Sequence, residues 1–220
     1  MTTEQFVLQS AKAAVVSESN GRAALFISAV SSAIVALAFV GQVSGTGETF
    51  LWFGLVLFPS LVFLGVATFV RLCQTAIEST VHARGISRIR HYYLEQAPEM
   101  ARYFVHPPYD DLASVVEDMA IFAPPRPGFL WGAWQRFVAI SGVVGAINSV
   151  LAGAFTGLLT RGGLGLALPV SVALGITTFV LSMIMHMRYQ RFMSDEQLRR
   201  LEPLFPRPAP AAPARGAGPV

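Results

Sequence analysis

The sequence predicts an all-α integral membrane protein: four transmembrane helices, set out as two tandem parallel-repeat hairpins with a small helical cytoplasmic insertion between them. Three observations predict it. Four uncharged stretches, 23–47, 49–70, 137–160 and 162–187, each bounded by charged residues, exceed the roughly 18 to 20 apolar residues a bilayer crossing needs. Charged residues make up only 13% of the 220, against about 25% in a soluble domain. Fifteen of the sixteen Lys and Arg fall in three segments that alternate with the hairpins, and only Arg161 lies in a hairpin loop.

Residues 1–22 come first, with Glu4, Lys12 and Glu18 interrupting any signal-peptide layout. They read as a cytoplasmic amphipathic helix from Glu4 to about Val16, and the first span then serves as an uncleaved signal anchor. Hairpin 1 occupies 23–72. Its first span carries a stripe of small residues, Ala24, Ser28, Ser32 and Ala36. Its second carries Trp52 at the expected outer interface and Pro59 near mid-span. A proline there removes a backbone donor and predicts a kink. Cys73, the single cysteine, lies at the inner end of that span and gives neither an intrachain disulfide nor a thiol metal cage. It reads as a packed small residue, with S-acylation as the sharper alternative.

The connector, 73–135, begins as a continuation of the second span. Ile77, Val81, Ile89 and Tyr93 recur at multiples of four beside Gly85 and Ile86, predicting an amphipathic helix that ends before Pro98. Arg84, Arg88, Arg90 and His91 form its basic part, read equally as a solvated face or as a patch for anionic lipid headgroups at the inner leaflet. A second helix is expected after His106-Pro-Pro-Tyr109, capped by Asp110 or Asp111, with Leu112, Val115, Val116 and Met119 as its apolar face. Pro124 to Gly128 ends it, and Trp131 and Trp134 read as interfacial anchors.

Hairpin 2, 136–188, repeats hairpin 1. Pro59, Val62, Leu64, Gly65, Thr68, Phe69 and Val70 match Pro169, Val172, Leu174, Gly175, Thr178, Phe179 and Val180 at a constant offset of 110. Both hairpins start and end on one side, so the repeat predicts a pseudo-two-fold axis along the membrane normal. The third span carries Ser141, Gly145, Ser149, Gly153 and Gly157 at four-residue spacing. That stripe suits close backbone approach, either inside one bundle or between copies. Asn148 is its strongly polar side chain and reads as an interhelical hydrogen-bonding residue. Pro169 reads as a helix start. The tail, 189–220, holds six of the fourteen prolines and is expected to be disordered from about 203, with Pro210-x-x-Pro213 as a formal PxxP.

The positive-inside rule places both termini in the cytoplasm. The Arg-over-Lys bias suggests a bacterial protein, hence a multi-pass protein of the plasma (inner) membrane. Chemistry-bearing clusters are sparse. Met183, His186 and Met187 share a helical face with donors that suit Cu(I). His106 with Asp110 and Asp111 is the best acid–base grouping, but helix capping accounts for the acids. No catalytic, cofactor-binding or metal residue is assigned, no cofactor is implied, and the reading is of a non-enzyme that does not bind nucleic acid. The expected function is an oligomerising scaffold or pore-type effector subunit whose cytoplasmic helices contact a protein partner. The layout is similar to small bacterial two- and four-span effectors; this is a likeness of architecture, with no diagnostic motif matched. The alternatives are a small channel or transporter for an uncharged or soft-metal solute and, behind it, a membrane-bound enzyme.

Overall fold

In a computed structural model that describes residues 2–118, 138–199 and 202–208, the chain is helical, with no strand among the described residues. Among the described residues there are five α-helices: α1 (Thr2–Ser44), α2 (Glu48–Gln96), α3 (Leu112–Asp118), α4 (Ile140–Leu158) and α5 (Leu168–Arg199). A 3-10 turn, Pro98–Tyr103, follows α2, and a π-helical turn, Leu159–Gly163, follows α4. Among the described residues, four helical segments are long and apolar enough to cross a membrane: α1, α2, α4 with its π turn, and α5.

The N-terminal segment is not a separate amphipathic helix. α1 runs unbroken for 43 residues and α2 for 49, lengths of about 65 and 74 Å at 1.5 Å per residue. Since a bilayer core is about 30 Å thick, roughly half of each helix lies beyond any apolar span. α2 continues through Pro59 and ends at Gln96, one residue from the predicted boundary before Pro98. Gly45, at φ 66°, lets the chain reverse within three residues between α1 and α2. α5 starts with Pro169 in its first turn, where a missing N–H is harmless.

The core is built from Ala23, Phe26, Val30 and Ala33 of α1, Leu61, Phe69, Leu72 and Cys73 of α2, and Val144 and Leu151 of α4. α2 packs between α1 and α4, while α5 packs mainly on α4. A two-fold relating the hairpins would carry the α2–α4 contact onto an α1–α5 contact. The described residues show no comparable α1–α5 packing, so the hairpins meet on one side only.

Two ends result. At the turn end, residues 45–47 lie beside the π turn, where a side chain on Gly162 would strike Leu51. At the polar end, the first half of α1, the second half of α2, α3 and residues 202–208 come together. Here the expected faces are found in part, with Ile86, Ile89 and Val115 buried. On α2 the buried positions are Ala83, Arg84, Ile86, Ser87 and Ile89, whereas Val81 is exposed. α1 approaches through Leu8, which reaches Gly85, and this rotates the buried stripe away from Val81. On α3, Ser114 and Val115 are buried and Leu112 is exposed, because Asp111 accepts from both the N–H (2.9 Å) and the hydroxyl (3.0 Å) of Ser114 and sets the helix's rotation. The expected positions Met119, Trp131, Trp134, 124–128 and 210–213 lie outside the described residues.

Candidate functional site

The polar end carries most of the described ionic chemistry. Asp110 is fully buried. Its carboxylate takes Arg88 Nε at 2.7 Å and the backbone N–H groups of Leu204 (3.0 Å) and Phe205 (2.8 Å), while its own N–H donates to Phe205 O at 3.1 Å. Burial alone would raise its pKa. The two N–H donors and Arg88 outweigh burial and hold the pKa below the ordinary carboxylate value. Phe205 stacks on His91, with ring centroids 4.1 Å apart. Arg207 donates its backbone N–H to Asp111 (2.9 Å) and its guanidinium to Glu117 (2.6 Å). Residues 202–208, expected as the start of a structureless tail, are therefore strapped onto the α2–α3 corner. Composition hid this because the donors are backbone amides; the readable signal was the isolated Leu204-Phe205 and Arg207 within a Pro-rich stretch.

Asp118 forms the second node. Arg90 (2.7 Å), Lys12 (3.4 Å) and His106 (3.4 Å) converge on it. Burial raises its pKa, but hydrogen bonding and charge attraction from Arg90, then Lys12 and His106, leave it lowered. Gln9, Ser17 and Asn20 join Lys12, Arg90 and His106 around a polar recess of about 640 Å³. A third node, nearer the apolar spans, pairs Glu18 with Arg71 (3.0 Å) and Arg22 (2.8 Å), and Arg71 with Glu78 (3.1 Å). Hydrogen bonds from Arg71 and Arg22 lower the Glu18 pKa to about 2.

The structure thus separates the expected acid–base group. His106 faces Asp118, Asp110 faces Arg88 and the strap, and Asp111 is the helix cap. It also redirects the expected basic patch. Arg88 and Arg90 point at the chain's own carboxylates, Arg84 is buried, and His91 lies against Phe205.

Within the apolar part, α4 and α5 share a buried polar seam. Asn148 Nδ2 lies 3.4 Å from His186 Nε2, and His186 Nδ1 lies 2.7 Å from the Ser182 carbonyl. A carbonyl only accepts, so Nδ1 carries the proton and Nε2 accepts from the amide. Ser149 Oγ is 3.1 Å from Ser182 Oγ, and Gln190 donates to Ser141 at 2.9 Å. Asn148 is the interhelical hydrogen-bonding residue expected from sequence; its Oδ1 has no partner and sits where a side chain on Gly65 would fall. Met183, His186 and Met187 do share one small void, beside Phe69, but both imidazole nitrogens are engaged. No group of three His, Cys, Asp or Glu is gathered among the described residues. Cys73 is buried in the core, as the packing reading expects, which leaves its thiol poorly placed for acylation.

Gly145 and Gly153 of the small-residue stripe are occupied within the chain. A Cβ on Gly153 would lie 2.8 Å from Gly175 O, and one on Gly145 would lie 3.2 Å from Phe69 and 3.3 Å from His186. No family model matches this chain, and no curated protein or solved structure is significantly similar to it.

Proposed function

We propose that the protein is a non-enzymatic multi-pass membrane subunit in which a polar cytoplasmic unit, held by the three carboxylate nodes, transmits the docking of a protein partner to the membrane-embedded helices. The observation that carries this reading is the continuity of α1 and α2. Each passes without a break from the polar end into its apolar half, so a tilt imposed at one end reaches the other. The distribution of Lys and Arg supports cytoplasmic termini, a cytoplasmic 72–134 and insertion in a bacterial plasma membrane. The in-register match of α2 and α5 supports a duplicated hairpin. Self-association uses faces other than the Gly145 and Gly153 part of the α4 stripe, which α2 and α5 already meet.

The test is reconstitution of the full chain in liposomes loaded with a self-quenched dye, across a range of lipid-to-protein ratios. A scaffold or pore-type subunit gives leakage that rises more steeply than protein density, with oligomers trapped by cross-linking. A monomer at every density that takes up one solute saturably would overturn the reading in favour of a transporter. For topology, externally added thiol reagent should label a cysteine placed at Thr46 and spare one placed at Ala113, in a Cys73→Ser background.

A further inference from the structure

The missing α1–α5 contact leaves a cleft of about 730 Å³ at the turn end, with Leu37, Phe50 and Phe58 of α1 and α2 on one wall and residues of α4 and α5 on the other. That is within the usual range for a ligand site, about 300 to 1,000 Å³. The walls are almost wholly apolar, with two exceptions. Arg161, raised on the π turn, lies exposed at the rim. One of its guanidinium nitrogens donates to Leu166 O at 3.0 Å, and among the described residues it meets no carboxylate. Ser171 is 1% exposed and lines the cleft, and its hydroxyl has no partner. Its N–H is taken by Ala167 O, so only the hydroxyl is idle.

The cleft is sequence-built. Gly153 and Gly175 bring the α4 and α5 backbones together, but Gly157, one turn nearer the π turn, touches nothing closer than 3.8 Å where its Cβ would stand. A side chain there would meet Ser171 O at ordinary contact distance and line the cleft, whereas one on Gly153 would collide with the facing backbone.

We propose that this cleft binds one anionic phospholipid, with acyl chain between the hairpins, phosphate on Arg161 and an ester carbonyl accepting from Ser171. Charge complementarity selects this occupant. Arg161 is the only Lys or Arg in either hairpin loop, and guanidinium forks match phosphate oxygens. A second copy seated here on a two-fold would bring its own Arg161 to the same rim, like charge against like. The proposal is independent of the partner-coupling reading, since it concerns the opposite end of the bundle.

The experiment is native mass spectrometry of the full chain in mild detergent, titrated with dioleoyl phosphatidylglycerol or dioleoyl phosphatidylcholine. One phosphatidylglycerol should be retained per chain, preferred roughly fivefold over phosphatidylcholine, whose choline cancels the charge of its phosphate; that is the factor expected for one basic residue beside an anionic headgroup. Arg161→Gln, on an exposed turn, should abolish the preference while keeping some retention of both lipids. Gly157→Leu should remove the retained lipid. Val172→Trp, which fills the cleft from its open wall, should do the same, and stands in if Gly157→Leu does not fold. Equal retention of the two lipids by the unaltered chain overturns the proposal, as does retention that survives filling. A dimer dissociated by filling also overturns it, because a second copy would then be the occupant.

Discussion

α2 and α5 grip α4 with the same residues and end in different surroundings. Gly65 of α2 receives Asn148 of α4, and Phe69, one turn on, lies over Gly145. Gly175 of α5 receives the Gly153 backbone, and Phe179, one turn on, lies over Gly153. In each case a glycine admits a neighbour and the phenylalanine four residues later covers an α4 glycine. The shared Leu-Gly-x-x-Thr-Phe-Val therefore reports a shared way of docking on one helix, with no two-fold required. The surroundings differ because α1 covers the first copy. Phe26 sits against Gly65, and Phe69 is 3% exposed. Among the described residues nothing comparable covers the second, and Phe179 lines the open cleft. A duplicated motif fixes the contact it makes; the third helix beside it decides whether the other side becomes core or cavity.

The largest expected effect breaks that comparison at its tightest point. Gly153→Ala and Gly175→Ala each place a Cβ within 2.9 Å of a backbone carbonyl on the facing helix, where no rotamer change gives relief. Each should destabilise by roughly 1–3 kcal/mol, read as a fall in the thermal unfolding midpoint in detergent. Gly157→Ala, on the same stripe, should be neutral or stabilising, since alanine is favoured over glycine in a helix by up to about 1 kcal/mol. Equal losses at Gly153 and Gly157 would mean that the stripe packs uniformly and the cleft is closed.

The polar end is held differently, and its effects should be local. Asp110→Ala removes the acceptor for the Leu204 and Phe205 amides. With hydrogen bonds to charged groups contributing about 1.5–3 kcal/mol, those two amides should exchange at least tenfold faster while α4 amides keep their protection. Acid should reproduce the release. The Asp110 pKa is lowered in the folded chain, so its contribution is fully present above the unfolded value of about 3.9 and is lost as pH falls through the folded one. Strap protection should thus stay flat from pH 7 to 5 and collapse below about pH 4. Glu18, lowered to about 2 by Arg71 and Arg22, should remain ionised through that collapse. Carboxyl NMR shifts would detect it, and in Arg71→Gln its titration should move back toward the ordinary range.

What was legible follows from where the physics is local. Span number and the end of α2 came from runs and periodicity, because apolar length and Pro98 act on the residues beside them. Asn148 was legible because a lone amide among apolar residues must find a partner. The faces of α2 and α3 at the polar end were legible in part: Ile86, Ile89 and Val115 are buried as expected, but Val81 and Leu112 are exposed, since small and ionic contacts there, Leu8 on Gly85 and Ser114 on Asp111, outvote apolar periodicity. The strap left only Leu204, Phe205 and Arg207 as a signal, because its partners are more than 90 residues apart and half of them are backbone. His186 read as a metal-ligand candidate, and only the relative rotation of α4 and α5 turns it toward Asn148.

That last pair gives the smallest and most discriminating prediction. Hydrogen bonds between membrane helices contribute about 0.6 kcal/mol on average, and at 3.4 Å the Asn148–His186 bond is long. Asn148 also carries a buried Oδ1 without a partner, a standing cost that the isosteric Asn148→Leu removes. The gain from losing the orphan oxygen offsets the loss at His186, so Asn148→Leu should change stability by less than about 1 kcal/mol. A double-mutant cycle with His186→Phe should give a coupling of about 0.6 kcal/mol. The α2 side sets a check on the shape: Gly65→Ala should be worse than Asn148→Leu, because its Cβ would collide with the same buried amide and meet the Phe26 ring at 3.0 Å. A coupling above about 2 kcal/mol, beyond the range such bonds reach, would mean that the amide and the imidazole belong to a larger polar network, such as one bridged by a buried water. The seam would then be a polar path through the apolar half and no longer a packing device. The transporter reading would gain the lining it otherwise lacks.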